Sequence, residues 1–508
     1  MQNDTIVAIA TPPGVGGIGV IRVSGPEAFA TVLPLLQRSG KYTNFSLPPS
    51  HMLTYAHIVD PKTSEMLDEV LVAFMRAPRT YTREDVVEIS GHGGPLVLQR
   101  ILRLVLAQGI RMANPGEFTL RAFLNGRLDL AQAEAVMDLI SAQTEAGQRL
   151  AMQQLRGRIS EQIQEARRTV LGVVARIEAS IDFPEEDVPV PQPAELQPFI
   201  EMAVQQIEAL LAGSEQGRLY RQGLRTAIIG RPNVGKSSLL NALLRSERAI
   251  VTPIAGTTRD TVEEVANLHG IPLYLIDTAG ITPTDDPIEQ IGVQRSRAAA
   301  ETADVILLVF DGAEPLTEED RQVSQEVQAM DRPVILVVNK ADRPQRLEID
   351  QVRAMWHETN MEAQFTVPER ASIAPIGASA KRSAAPKKSR GLPINTSRPS
   401  PIDLPLVFTS TLTGAGLPAL EETIADLVLV GKTIQGESAL VTSARHSEAL
   451  RRAAEHLRAS FIPLHQGLPL DFVSIDLRAA YDALGEVTGE TASEDLLERI
   501  FSEFCIGK

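Results

Sequence analysis

Residues 230–238 read Gly-Arg-Pro-Asn-Val-Gly-Lys-Ser-Ser, a G-x-x-x-x-G-K-S string between an apolar strand pattern at 224–229 and an apolar helix pattern at 239–244. That context makes it a phosphate-binding loop. Glycines at 230 and 235 let backbone amides turn toward phosphate oxygens, Lys236 reaches the outer phosphates, and the Ser237 hydroxyl can hold magnesium. Downstream, an apolar run at 273–276 ends in Asp277-Thr278-Ala279-Gly280, where a carboxylate can hold magnesium through water and Gly280 can meet a γ-phosphate. A third apolar run at 334–338 leads into Asn339-Lys340-Ala341-Asp342. The Asp342 carboxylate can accept from guanine N1–H and the exocyclic amine together; adenine has an unprotonated N1 there, so the set selects GTP. A polar turn after a buried strand explains one such tetrapeptide, but not three motifs in this order.

Between the phosphate loop and Asp277 lies Ala255-Gly256-Thr257-Thr258-Arg259-Asp260, in which Thr258 is the natural second magnesium ligand of a switch segment ordered by the γ-phosphate. Ile281 follows Gly280, where small regulatory GTPases usually place a water-orienting Gln. An apolar side chain cannot orient water. Catalysis then has to come from a partner, a second copy of the domain, a cation, or an acid further along such as Glu289.

The elements that must position these groups follow from periodicity. Strand-like runs at 5–10, 20–24, 69–74 and 86–90, with a helix pattern at 95–108, predict an α+β unit over residues 1–125. From 116 to 183 there is no proline, and Leu139, Leu150, Leu155, Ile159, Ile163, Val170, Val174, Ile177 and Ile181 recur near helical spacing, which predicts long packed helices. Residues 184–193 break that run, a helix pattern follows at 194–211, and helical patterning returns at 438–461, 469–484 and 492–504. The simplest division is 1–125, a first helical part at 126–222, an α/β unit at 223–436 inserted into the helical domain, and its second part at 437–508. Residues 343–405 exceed what such a unit needs for a connection. Their Lys/Arg- and Pro/Ser-rich composition predicts a disordered basic insertion, read as a solvated loop in preference to an RNA-binding arm.

A net charge of −15 excludes a globally basic nucleic-acid binder, so any RNA contact has to be local. No apolar run approaches the roughly 18 residues of a membrane span, and no basic segment precedes an apolar one at the N-terminus. A cytoplasmic protein is expected. One cysteine excludes an internal disulfide framework and a cysteine-based zinc site.

Three weaker signals resolve toward structure. Gly14-Val-Gly16-Gly-Ile-Gly19 fits the dinucleotide fingerprint, but a strand pattern follows it instead of a helix, so a turn between strands is expected. His92, in Ser90-Gly-His92-Gly-Gly94, is expected in a turn after a strand. Cys505-Ile-Gly-Lys508 fits a prenylation box poorly. A capping box at Thr491-Ala-Ser-Glu494, with Leu496, Leu497, Ile500, Phe501 and Phe504 on one face, predicts instead a packed terminal helix carrying Cys505 and Lys508 to a defined place. Burial as a small apolar residue is the competing reading of Cys505.

Together these pieces resemble the MnmE (TrmE) family of bacterial and organellar tRNA-modification GTPases over nearly the whole chain. The resemblance is carried by Asp4-Thr-Ile-Val-Ala with Thr11-Pro-Pro-Gly, by Gly91-His-Gly-Gly-Pro95, and by Pro115-Gly-Glu-Phe-Thr with Arg121-Ala-Phe-Leu-Asn-Gly-Arg-Leu-Asp-Leu130. The GTPase motifs and the terminal Phe504-Cys-Ile-Gly-Lys508 complete it. It implies a multidomain α/β and α protein: an N-terminal α+β tetrahydrofolate-binding-like domain that dimerises, a discontinuous helical domain, and an inserted P-loop GTPase α/β domain. It places a formyl- or methylene-tetrahydrofolate on Arg22, Glu88, Arg127 and Lys508, with Cys505 as a catalytic candidate beside it.

For the GTPase unit the resemblance implies potassium-dependent hydrolysis through transient pairing of two such domains. Asn233, Thr252, Ile254 and Thr257 match the potassium shell, Glu289 the acid that orients the water, and Ser237 and Thr258 the magnesium ligands. The GTP-contacting set is then Asn233, Val234, Gly235, Lys236, Ser237, Ser238, Thr252, Pro253, Ile254, Ala255, Gly256, Thr257, Thr258, Asp277, Thr278, Ala279, Gly280, Asn339, Lys340 and Asp342. Near the guanine the family commonly has Ser-Ala-Arg-Thr-Gly-Glu-Gly, where this chain has Thr409-Ser-Thr-Leu-Thr-Gly-Ala-Gly416.

The expected activity is addition of an aminomethyl or carboxymethylaminomethyl group at C5 of the tRNA wobble uridine. The implied partners are a second copy and an FAD-dependent MnmG (GidA) type protein, in a heterotetramer, with tRNA as substrate and no membrane. A ribosome-assembly GTPase would explain residues 224–436 equally well but gives Arg22, Glu88, Arg127 and Cys505 no role. A stand-alone folate-dependent methyltransferase leaves the switch segments unexplained.

Overall fold

Alternation of apolar and polar residues in the N-terminal quarter builds a sheet with two unlike faces. The computed structural model describes residues 4–37, 47–183, 189–246, 264–277, 301–330, 332–364, 404–429 and 440–508. β1 (Ile6–Ile9), β2 (Ile18–Ser24), β3 (Leu36–Gln37), β4 (Leu53–Val59), β5 (Met66–Met75), β6 (Val86–His92) and β7 (Arg111–Met112) form one seven-stranded sheet in the order β3-β4-β5-β6-β2-β1-β7. Only β1 with β7 pairs in parallel. Side chains alternate across a strand, so Ile21, Val23, Val70, Val72, Val87 and Ile89 share one buried face, packed on Leu98, Ile101 and Val105 of the helix Pro95–Leu106. The other face carries Arg22 in register with Glu88. There Ile6 and Ala8 pack on Ala113 and Phe118, whereas Ile18, Leu53, Tyr55 and Leu71 are exposed.

The glycines at 14, 16 and 17 lie in the connection between antiparallel β1 and β2, as expected of a turn. His92 differs from expectation. It is the last residue of β6, paired with Ile18, because buried Asp68 accepts from its backbone N at 2.8 Å and its Nδ1 at 2.6 Å and holds it in the ladder. The imidazole bond to Asp68 raises the His92 pKa.

The proline-free stretch forms four helices, Glu117–Leu124, Leu130–Ser141, Glu145–Leu155 and Arg158–Asp182. Its single apolar period therefore serves several cores. Ile159, Ile163, Val170, Val174 and Ile177 join one buried cluster with residues of the helices Pro193–Ala212, Ala444–Ala459 and Leu470–Thr488. Helices from both sides of the inserted unit thus share a core, which makes the helical domain discontinuous. Leu150 instead packs on the inserted unit, Leu155 on a cluster around Phe501, and Ile181 is 40% exposed.

The last helix is Glu494–Ser502, and its cap is Ser493, accepting from Leu496 N at 3.4 Å. Thr491, expected in that role, donates instead to Asp482 O at 2.8 Å. Phe501 and Phe504 are buried against Leu130, Ala133 and Val136, with Leu497 and Ile500 only partly covered.

In the inserted unit, β8 (Leu224–Ile229), β9 (Glu264–Leu268), β10 (Ile271–Asp277), β11 (Val305–Asp311), β12 (Val334–Asn339) and β13 (Leu406–Phe408) form a second sheet in the order β13-β12-β11-β8-β10-β9. All pairs are parallel except β9 with β10. β11 and β12 are buried at every residue, which is why they read as continuous apolar runs. Part of the expected insertion is ordered: Ile349–Gln364 is a helix whose Val352, Met355 and Trp356 pack beneath the sheet. Residues 365–403, with the basic stretch, lie outside the described residues.

The helical domain grips the β9–β10 hairpin. Thr144 caps the helix Glu145–Leu155 by accepting from Gly147 N at 3.1 Å, and its hydroxyl donates to Gly270 O at 2.7 Å in the hairpin turn. Leu219 and Tyr220, from the helix Ser214–Gln222, lie in the same core as Leu273 and Leu275 of β10.

Candidate functional site

Strand ends deliver the nucleotide motifs. β8 runs into the phosphate loop, and Lys236 opens the helix Lys236–Ser246. Lys236 is buried, and its Nζ donates to Gly230 O at 2.8 Å and Arg231 O at 2.9 Å, so it is held inside the curl of the loop. Gly235 has φ +101°, and a Cβ there would stand 2.3 Å from Asn339 Nδ2, so side chains are excluded on both conformational and steric grounds. Asn233, at φ 66°, is exposed at the tip with Ser237 and Ser238 exposed behind it, while Val234 is buried.

β12 brings the base-recognition motif against this loop. Asn339 Nδ2 donates to Val234 O at 2.9 Å, and Lys340 Nζ donates to Asn233 O at 2.9 Å. Asp311, at the end of β11, pairs with Lys340 Nζ at 2.5 Å and fixes that side chain. Nothing beyond an acid after an apolar run marked Asp311 in the sequence. Asp342 is exposed and accepts from Ser410 Oγ at 2.5 Å; this bond, foremost, holds its carboxyl below the ordinary carboxylate pKa. Thr409 N donates to Val338 O at 2.8 Å, and Ala341 N donates to Thr409 O at 3.0 Å. The unusual Thr409-Ser410 pair is therefore stitched to the motif it flanks. Asp277 closes β10, whereas residues 252–258, residues 278–280 and Glu289 lie outside the described residues.

A second cluster forms on the first sheet. Arg22 and Glu88 face each other across β2 and β6, and Arg22 Nε donates to Glu88 Oε1 at 2.8 Å. Arg22 Nη1 also donates to Gly507 O at 3.2 Å, which brings in the C-terminus. Gly507 has φ +97°, and a Cβ there would lie 2.5 Å from Ile9 O, so only glycine lets the tail lie against β1. Cys505 is exposed, against its reading as a buried apolar residue, and its carbonyl accepts from Gly116 N at 3.4 Å. The Lys508 ammonium is pushed to lower pKa by burial and then by Arg22. Tyr81, which no motif singled out, joins the set: the Arg127 guanidinium lies 4.8 Å and that of Arg22 5.7 Å from its ring centroid. Its hydroxyl hydrogen-bonds Thr119 Oγ1 at 2.9 Å, and burial raises its pKa. Arg127 Nη1 donates to Thr80 O at 3.1 Å.

Among the described residues no group of three or more His, Cys, Asp or Glu side chains could hold a metal, and no helix is long and apolar enough to cross a membrane. The first cluster is built to hold a magnesium–guanine nucleotide; the second offers cations and one carboxylate around an aromatic ring.

Family models and full-length relatives converge on one family. A model described as the MnmE helical domain matches residues 130–505, and one described as the GTP-binding protein TrmE N-terminus matches residues 5–127. The tRNA modification GTPase MnmE of Chloroflexus aurantiacus is 48% identical over 511 residues, and that of Geobacillus thermodenitrificans 45% over 508 residues, each with the whole of both chains covered. Among solved structures, Era from Aquifex aeolicus bound to GDP and aluminium fluoride is similar over 46% of this chain and 65% of that one, at 27% identity and a TM-score of 0.26. With family models on both parts and full-length relatives at this identity, the chain belongs to the MnmE (TrmE) family of tRNA modification GTPases.

Proposed function

We propose that the protein is a potassium-activated GTP hydrolase that works with an FAD-dependent protein of the MnmG (GidA) type. Together they use a folate one-carbon unit to add an aminomethyl or carboxymethylaminomethyl group at C5 of the tRNA wobble uridine. The carrying observation is the meeting of Arg22, Glu88, Arg127 and the C-terminal residues around Tyr81, in a chain that also holds a guanine-selective nucleotide pocket. A ribosome-assembly GTPase needs only the nucleotide pocket.

The donors present fit the groups invoked. Asn233 places a hard oxygen donor, the kind a group of alkali or alkaline-earth cations takes, at the exposed tip of the phosphate loop. In this reading Thr252, Ile254 and Thr257 supply the rest of the potassium shell, and Ser237 and Thr258 hold magnesium. Potassium there supplies positive charge where negative charge develops between the phosphates. Glu289 orients the attacking water in the place Ile281 cannot fill. At the second cluster, Arg22 holds Glu88, which accepts from the pterin donor edge, and Arg127 and Lys508 take the carboxylates of formyl- or methylene-tetrahydrofolate. Lys508 is suited to this, since an anion beside it relieves the repulsion from Arg22. Cys505, exposed in the same tail, is the catalytic candidate there.

Homodimerisation is supported by the uncovered sheet face, where Ile18, Leu53, Tyr55 and Leu71 are 70%, 64%, 44% and 43% exposed on the side that carries Arg22 and Glu88. The grip of Thr144 and Tyr220 on the β9–β10 hairpin offers the route by which hydrolysis moves the helices, because that hairpin joins the two switch segments in sequence. GTP turnover then drives opening and closing, not uridine chemistry.

Asp342 gives the first test of base choice. Asp342→Asn should shift preference from GTP toward xanthosine triphosphate, whose C2 carbonyl suits the Asn amine, in competition binding; equal GTP affinity in both proteins removes the assigned role. For the whole reading, mass spectrometry of wobble nucleosides from cells lacking this protein should show the C5 group missing. Unchanged nucleosides would overturn it.

A further inference from the structure

An open cleft of about 510 Å³ adjoins the second cluster, lined by His51, Arg79, Thr80, Tyr81, Arg83 and Arg127 among others. Three guanidinium groups gather there in a chain of net charge −15. Other arginines nearby are neutralised: Arg22 by Glu88, Arg111 by Asp4 and Glu117, and Arg121 by Asp4, Glu84 and Glu117. Among the described residues none of the three in the cleft is ion-paired to a carboxylate. Arg83 Nη1 donates to Asn125 O at 2.9 Å and Arg127 Nη1 to Thr80 O at 3.1 Å. The neighbouring acids are engaged elsewhere, Asp85 with Ala77 N at 2.9 Å and Glu84 with Ser24 and Arg121.

The segment that displays these charges is fixed. His51 Nε2 hydrogen-bonds Arg79 O at 2.7 Å, Thr80 Oγ1 donates to Glu84 O at 2.6 Å, and Arg83 sits at φ 60°. A held loop whose guanidinium groups have no carboxylate partner is preorganised for a ligand with several carboxylates. Tyr81 and Arg127 belong to both cleft and cluster, so a chain leaving the cluster passes Arg127 and enters the cleft.

We infer that this cleft binds the γ-linked oligoglutamate tail of a polyglutamylated folate through Arg79 and Arg83, an inference that rests on the folate reading of the adjoining cluster. Each added glutamate carries one carboxylate, and the cleft opens to solvent, so it tolerates tails of several lengths. The cleft has the size of a small-molecule site. A net charge of −15 over the chain favours a small polyanion here over an RNA backbone.

Calorimetric titration of the full-length protein with 5-formyltetrahydrofolate in monoglutamate and pentaglutamate forms tests this. The pentaglutamate should bind roughly tenfold tighter, the combined scale of two exposed ion pairs, and the advantage should shrink as salt rises. Arg79→Ala with Arg83→Ala should abolish the advantage while monoglutamate affinity stays within about twofold. Arg79→Glu with Arg83→Glu should reverse the preference. Equal affinity of the two forms in the wild type, or an advantage that survives in the variants, overturns the inference and leaves the folate reading standing. Failure of both forms to bind removes that reading, and the tail site with it. Loss of tRNA affinity in the alanine variant without any tail preference assigns the cleft to RNA phosphates instead.

Discussion

Replacing Glu289 with Ala should cut GTP turnover by roughly 10²-fold or more, the scale of losing a positioned catalytic group, while GTP binding stays near normal. The reason is the apolar Ile281 after Gly280, which leaves no side chain at that position able to orient water. If Asn233 with Thr252, Ile254 and Thr257 holds potassium between paired domains, turnover should also be fast in potassium, slow in sodium, and rise with protein concentration. Magnesium alone should not suffice. Separating binding from turnover is essential, because Asn233 O also accepts from Lys340 and a disturbed loop would weaken both. Ion-indifferent hydrolysis that survives Glu289→Ala would sink the potassium assignment and the role given to Glu289 together.

The nucleotide pocket was legible because each of its motifs is contiguous. A strand end, a loop and a helix start occupy adjacent residues, so spacing alone carries the chemistry. What spacing could not show is how the motifs brace one another. Asn339 and Lys340 hold the carbonyls of Val234 and Asn233 more than a hundred residues away, and Asp311 fixes Lys340 from a strand that carries no motif. Ser410 was legible only as a departure from the family pattern, yet its hydroxyl is the group that orders Asp342.

The second cluster is harder to read for a physical reason. Arg22 and Glu88 meet through strand register, and Gly507 reaches Arg22 from the far end of the chain. Without the resemblance, no local pattern joins them, and Tyr81 has none at all. Periodicity misleads in the opposite way where one apolar period is divided among several cores, as with Ile163, Leu150 and Leu155. Averaged composition hid the helix Ile349–Gln364, although Val352, Met355 and Trp356 already stand at helical spacing.

Deleting residues 505–508 should abolish tRNA modification while GTP hydrolysis persists. The fold tolerates the loss, because the last helix is anchored by Phe501 and Phe504 against Leu130, Ala133 and Val136, all of which the deletion retains. What it removes is the Gly507 carbonyl that Arg22 donates to, the half-buried Lys508 ammonium and the exposed Cys505 thiol. The nucleotide pocket lies on the other sheet and touches none of these. Lys508→Ala separates the parts further: it keeps the tail in place and should weaken folate binding, whereas Cys505→Ser should spare folate binding and lower modification. Nucleoside mass spectrometry, with GTP turnover measured on the same proteins, reads both outcomes. Normal modification in the deletion strain would show that the tail serves packing only, and parallel loss of hydrolysis would show that the two clusters are not separable.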